Sequence, residues 1–365
     1  MTLAARLDGA IEAALGSRIV GCVVLVEKRG EAPYARAAGL ADREAGRAMG
    51  LDAIFRLASV TKPVVAACAL RMVDLGLVSL DDPVTKFLPN FRPLSPDGVE
   101  RPITIRQLLN HTSGMTYGGT GTYSRGLSGK VQSLDDWLAE IAAAGLLFAP
   151  GTGWEYGMSS DVLGGVVAAV NGSDLARALA QQVTGPLGMT ETLFSVADPA
   201  RLAVPYADGR PPVRMGEPHV IRGDDGSETP FSPARILTPG VPQSGGAGMA
   251  GTAGDVMRLL QGLAGDFLTP ALRDAAFSNQ IGSLPRHEGD AGKRFGFLGA
   301  VTVDPGAAGT ALPVGAVDWG GAWGHNWVVD RASGTVIVVC TNTTYEGCNG
   351  AFREEIIQAV FGQGN

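Results

Sequence analysis

The chain has 365 residues, with 29 basic against 36 acidic side chains and a formal charge of −7. That balance, with no run of like charge, lacks the basic patch of a nucleic-acid surface, and no apolar run approaches the roughly 20 residues of a membrane span. Hydrophobic residues make up 45% and charged residues 18%, which is too apolar for a disordered chain and enough for one large domain or two interleaved ones.

At the N-terminus, Leu3, Leu7, Ile11 and Leu15 recur at spacing four. That is an amphipathic helix without the continuous apolar core of a secretory signal, so the expected location is cytoplasmic. Residues 19–27 (IVGCVVLVE) read as a buried strand, and Tyr34–Gly39 as its hairpin partner. From Ser59 to Leu77 an Ala/Val/Leu-rich stretch reads as a helix buried on most sides. Further helices are expected near Ile105–Leu109, Leu134–Ala144 and Ser160–Val170. Residues 196–245, dense in Pro, Gly and Asp, read as extended loop. A helix at Thr252–Leu263, strands at Phe295–Val303, Trp323–Asp330 and Thr335–Thr341, and a last helix over 350–361 complete the pattern. Strands at both ends with helices between imply an α/β (α+β) fold: an antiparallel sheet built from both termini and flanked by helices. The expected division is a sheet domain from 1–62 and 196–365, a mainly helical domain inserted at 63–195, and a site in the cleft between them.

Cysteines 22, 68, 340 and 348 form no CxxC, and the first three sit in apolar runs where thiols act as small hydrophobes. Histidines 111, 219, 287 and 325 lack a paired ligand spacing, so neither a metal nor another cofactor is expected. No GxSxG occurs, which removes the nucleophile elbow of the α/β-hydrolases.

The sharpest local feature is Ser59-Val60-Thr61-Lys62, within FRLASVTKPVVAACAL. Residues three apart share a helix face, so the Ser59 hydroxyl and Lys62 amine can meet. The free N–H groups of a helix start can face a developing oxyanion. Apolar packing around Lys62 disfavours its charged form, and the expectation is a neutral lysine that activates the serine. Downstream, Gly320 and Gly321 let a strand edge approach a substrate closely, so that the Ser59 and Ala322 amides can form an oxyanion hole.

Around these residues the chain resembles the serine β-lactamase and penicillin-binding-protein fold family. Within it, the chain is similar to the class C β-lactamases and to family VIII carboxylesterases. The resemblance runs through LLNHTSGM (Leu108–Met115), PGTGWEYGMSSDVLGGVV (Pro150–Val167), GPLGMTETLF (Gly185–Phe194), SGGAGMAGTAGD (Ser244–Asp255) and WGGAWGHNWVVD (Trp319–Asp330). It implies Ser59 as nucleophile, with Lys62 and Tyr156 moving protons, and for the tyrosine this needs a charged Lys62 close by to stabilise phenolate character. Tyr156-Gly157-Met158 stands where the family carries Tyr-x-Asn, so Met158 cannot supply the amide that contacts a β-lactam side chain. Trp319-Gly320-Gly321 stands for Lys-Thr-Gly, replacing the lysine that binds the β-lactam carboxylate with a neutral indole. Met158, Trp319, Gly320 and Gly321 are therefore expected to line an apolar substrate pocket. His111 is expected to be structural and His325 to sit near the pocket rim. The 244–248 loop is expected to border the pocket, and Trp137, Trp154 and Trp327 to lie in the core.

The implied activity is a serine carboxylesterase that hydrolyses short or medium acyl esters through an acyl-enzyme. β-Lactamase, D-amino-acid peptidase and acyltransferase activities of the same fold are the alternatives, and a ligand-binding module without catalysis is the reading from another class. The expected partner is a small-molecule ester, with a β-lactam as the alternative; the sequence leaves the oligomeric state open.

Overall fold

Gly21–Glu27 (β1) has no polar face, because both sides of the sheet it enters are covered. Cys22, Val24 and Val26 point into a layer formed by the N-terminal helix Leu3–Ala14 (α1) and the C-terminal helix, while Val23 points into the main core on the other side. Such two-sided burial gives a continuous apolar run rather than an alternating one. The structure, a computed structural model, describes residues 1–118, 126–223, 228–286 and 291–362. His287 lies outside the described residues.

β1 pairs antiparallel with Tyr34–Asp42 (β2), which continues to a short strand at Arg47–Ala48 (β3). From the C-terminal part come Lys293–Phe295 (β4), Ala300–Thr302 (β5), Val317–Gly321 (β6), His325–Asp330 (β7) and Thr335–Thr341 (β8). The sheet order is β4-β5-β6-β7-β8-β1-β2-β3, and the two ends of the chain join through β8 and β1, with Val23 opposite Cys340. This is the antiparallel sheet from both termini that the sequence implied. The expected single strand over Phe295–Val303 is instead a tight hairpin of β4 and β5, closed by a Gly296 N–H to Gly299 carbonyl bond of 2.8 Å. Residues 196–245 are not wholly irregular either. His219–Arg222 pairs with Glu228–Phe231, because the latter strand ends on Phe231, which is fully buried beside Trp323.

On the main-core face lie Thr61–Asp74 (α2), Ser159–Asn171 (α3) and Ala253–Ala264 (α4). α2 is buried from Thr61 to Leu70, as its composition suggested. On the opposite face, α1 packs with Ala351–Phe361 (α5) through Leu7, Ile11, Phe352, Ile356 and Val360. Trp137 and Trp327 are fully buried.

One buried ion cluster ties β6 to its neighbours. Asp318 accepts bonds from Lys293 of β4 and Arg353 of α5. Burial alone would raise its carboxyl, but the two cations hold it below the ordinary aspartate value. Its stabilisation is therefore complete above that ordinary value and is lost as pH falls through the lower folded one. Asp318→Asn removes the carboxylate that Lys293 and Arg353 share, leaving Arg353 only Glu354, and the loss expected on breaking such a cluster is about 3–5 kcal/mol. Urea unfolding of the variant at neutral pH measures it; a midpoint equal to wild type would show the cluster to be neutral.

Candidate active site

The nucleophile segment is held from two directions. Ile54–Arg56 pairs with Ala250–Thr252, and the pairing extends through a 2.8 Å bond from Leu57 N–H to the Met249 carbonyl. Ala58 then takes φ 45°, a left-handed value that costs a non-glycine residue about 1–2 kcal/mol. That turn ends the extended segment abruptly and delivers Ser59, half-buried, into a short 3₁₀ turn (Ala58–Val60) that leads into α2.

Lys62 is 5% exposed, and its ammonium faces acceptors on three sides. Nζ lies 3.2 Å from Ser59 Oγ, 2.9 Å from Tyr117 Oη and 2.7 Å from the Gly246 carbonyl. A carbonyl can only accept, and an ammonium has three protons to give, so the arrangement satisfies the charged form. Burial alone would push Lys62 down, but Tyr117, Tyr156 and Asp161 outweigh it and leave the ammonium above the usual lysine range. The neutral lysine expected from the apolar run is therefore corrected. The offsetting groups come from segments far along the chain and were invisible beside Lys62 in sequence.

Tyr156 packs against Lys62, with the ammonium 4.7 Å from its ring centre. Its hydroxyl accepts the Trp319 indole N–H at 3.0 Å, and the two rings lie 4.8 Å apart. Trp319 thus does more than the apolar wall expected of it, because it holds the Tyr156 oxygen. Phe295 and Trp154 extend the aromatic cluster, and the Arg286 guanidinium stacks 5.5 Å from the Trp319 ring. His111 supports Tyr156 from behind: its ring lies 4.9 Å from the Tyr156 ring and Nδ1 accepts the Gly157 N–H. Burial, with the Lys62 charge, keeps His111 well below the usual histidine value and hence neutral.

The structure brings Ser59, Lys62, Tyr156 and Trp319 into one constellation. The glycines of β6 serve approach: a Cβ on Gly321 would collide with the Leu57 carbonyl, and one on Gly320 would come within 2.6 Å of Cys348 Sγ. Close contact of β6 with the nucleophile segment follows. Ala322, just past the strand, packs in an apolar cluster with Ala58, Ala247, Met215, Phe231 and Trp323. Met158 departs from its expected place. It is fully buried in the main core at the start of α3, turned away from any open wall. His325 is buried behind β6 rather than at the rim, where burial pushes it down to about 4 and its Nε2 bonds the Arg56 carbonyl at 2.7 Å.

Two participants were missed from sequence. Tyr117 follows LLNHTSGM by two residues, and burial pushes its hydroxyl above the usual tyrosine range despite Lys62. Its proximity to that motif was the available signal. The Gly246 carbonyl, from the 244–248 loop, left no signal beyond the glycines themselves.

A family model described as Beta-lactamase matches residues 7–360. Esterase EstB of Burkholderia gladioli is 47% identical, over 99% of this chain and 95% of its own. A lovastatin esterase of Penicillium rubens is 27% identical over 89% of each chain. Among solved structures, "EstCE1, a hydrolase with promiscuous acyltransferase activity" superposes with a TM-score of 0.92 at 35% identity, covering 99% of this chain and 98% of that one.

Proposed function

The chain belongs to the beta-lactamase family, and we propose on that footing that it is a serine carboxylesterase hydrolysing short or medium acyl esters through an acyl-enzyme. The observation that carries the reading is the Trp319–Tyr156 hydrogen bond, which puts an indole where β-lactam recognition needs a cation. The similarity to Esterase EstB supports it.

Ser59 Oγ attacks the ester carbonyl. With Lys62 held as an ammonium, the proton acceptor is a tyrosine oxygen beside it acting as a phenolate, whose negative charge Lys62 stabilises until the Ser59 proton neutralises it. Tyr156 suits that role, because the Trp319 N–H supports the charge on its oxygen from the other side. Tyr156 then gives the proton to the departing alkoxide, and in the second half the same groups take one from water and return it to Ser59. The Ser59 and Ala322 amides bind the oxyanion, a contribution of several kcal/mol for such a pair. The similarity to EstCE1, described as a hydrolase with promiscuous acyltransferase activity, favours a second reading, transfer of the acyl group to an alcohol in place of water.

A chromogenic short-chain ester should be hydrolysed with a kcat/KM about two orders of magnitude above that for a chromogenic cephalosporin. Faster cephalosporin turnover would make the protein a β-lactamase and end the esterase reading.

A further inference from the structure

Asp161 lies in the first turn of α3, five residues beyond Tyr156, and is 1% exposed. Its Oδ1 accepts the Ser244 hydroxyl at 2.6 Å and the Gly246 N–H at 2.9 Å, while Oδ2 has no hydrogen-bond partner among the described residues. A buried carboxylate with an idle oxygen is costly unless its charge is answered nearby. The answering charge is across one residue: the Gly246 N–H points to Asp161, and the Gly246 carbonyl points to Lys62 at 2.7 Å.

Local packing keeps that bridge rigid. A Cβ on Gly246 would come within 2.5 Å of Asp161 Oδ2, and one on Gly245 would strike the Ser160 carbonyl. Ser244 Oγ in turn accepts the Ala247 N–H at 3.0 Å, closing the turn on itself. No other carboxylate hydrogen-bonds the 244–248 loop among the described residues.

We propose that Asp161 is a positioning residue for Lys62, fixing the Gly246 peptide so that its carbonyl grips the ammonium and supplying the buried countercharge. It acts through Gly246 and touches no reacting atom. The inference rests on the reading of Lys62 as an ammonium beside the nucleophile, and it adds a fourth ionisable group to the serine–lysine–tyrosine set. The groups facing Lys62 are Tyr117, Tyr156, Asp161 and His111; Asp161 itself faces Lys62 and Arg235. Burial raises the Asp161 carboxyl, and the Lys62 charge works against that rise.

Asp161→Asn keeps an acceptor for Ser244 and Gly246 and removes only the charge. The expected result is kcat lower by about 30-fold with KM within about twofold. The alkaline limb of the kcat/KM profile should move about one pH unit lower, because Lys62 then gives up its proton more easily. A folded Asp161→Asn enzyme with an unmoved limb overturns the proposal, since a purely structural aspartate would change stability alone. Should that variant not fold, Lys62→Met combined with Asp161→Asn removes both charges at once. A double variant that melts higher than Asp161→Asn supports the pairing; one that melts as low or lower overturns it. That thermal comparison needs no turnover, so failure of the esterase reading and failure of this proposal give different results.

Discussion

Ser59→Ala is expected to lower kcat/KM by on the order of 10⁶-fold while leaving the melting temperature close to wild type. The loss is large because, among the described residues, Ser59 carries the one serine hydroxyl hydrogen-bonded to Lys62. Ser113 and Ser159 are bonded to each other at 2.8 Å, and Ser244 is bonded to Asp161. The fold should survive, since among the described residues the one side-chain hydrogen bond Ser59 makes is to Lys62. A serine-directed phosphonate should add one equivalent to the wild type and none to the variant, read by intact mass. Activity within tenfold of wild type in Ser59→Ala would move the nucleophile elsewhere.

The two tyrosines should separate sharply. Tyr156→Phe removes the oxygen that Trp319 holds and that takes and returns the proton, so kcat should fall about 10³-fold, within the range for a lost general acid–base. Tyr117→Phe removes one of the acceptors around Lys62, which costs about 1–3 kcal/mol when a buried donor is left without its partner. About tenfold in kcat and a lower melting temperature are expected there. Ester turnover and thermal melts on the two variants decide the assignment. The reverse order, with Tyr117→Phe the more damaging to kcat, would make Tyr117 the proton carrier and Tyr156 its support.

The legible parts of this molecule are those whose cause lies in neighbouring residues. Ser59 and Lys62 announce themselves by three-residue spacing at a helix start, and β1 and β8 by apolar runs long enough to need cover on both faces. What could not be read depends on segments that meet only in the fold. The charge state of Lys62 is set by Tyr117, Tyr156 and Asp161, with the Gly246 carbonyl holding the ammonium, and its own apolar surroundings pointed the wrong way. Met158 was placed by analogy with a family asparagine that faces substrate, but a methionine at that position gains more from the core than from a solvent-facing wall. The β4–β5 hairpin was read as one strand because its turn, Gly296 to Gly299, encloses Phe297 and Leu298, which are buried rather than polar.

The junction of β1 with β8 also sets a timetable for synthesis. β2 emerges directly after β1 and can pair with it at once, but the other edge of β1 waits for residues 335–341, some three hundred residues later in synthesis. Until then an apolar edge from Cys22 to Val26 is open to any other chain, the kind of surface that seeds association. The nucleophile segment is made early, whereas Ala322 and the strand leading to it arrive late, so a ribosome-bound chain holds Ser59 without the second half of its oxyanion site. A premature stop before Ala322 therefore yields a product that is both inert and adhesive, and removal of such products falls to chaperones and proteases rather than to refolding.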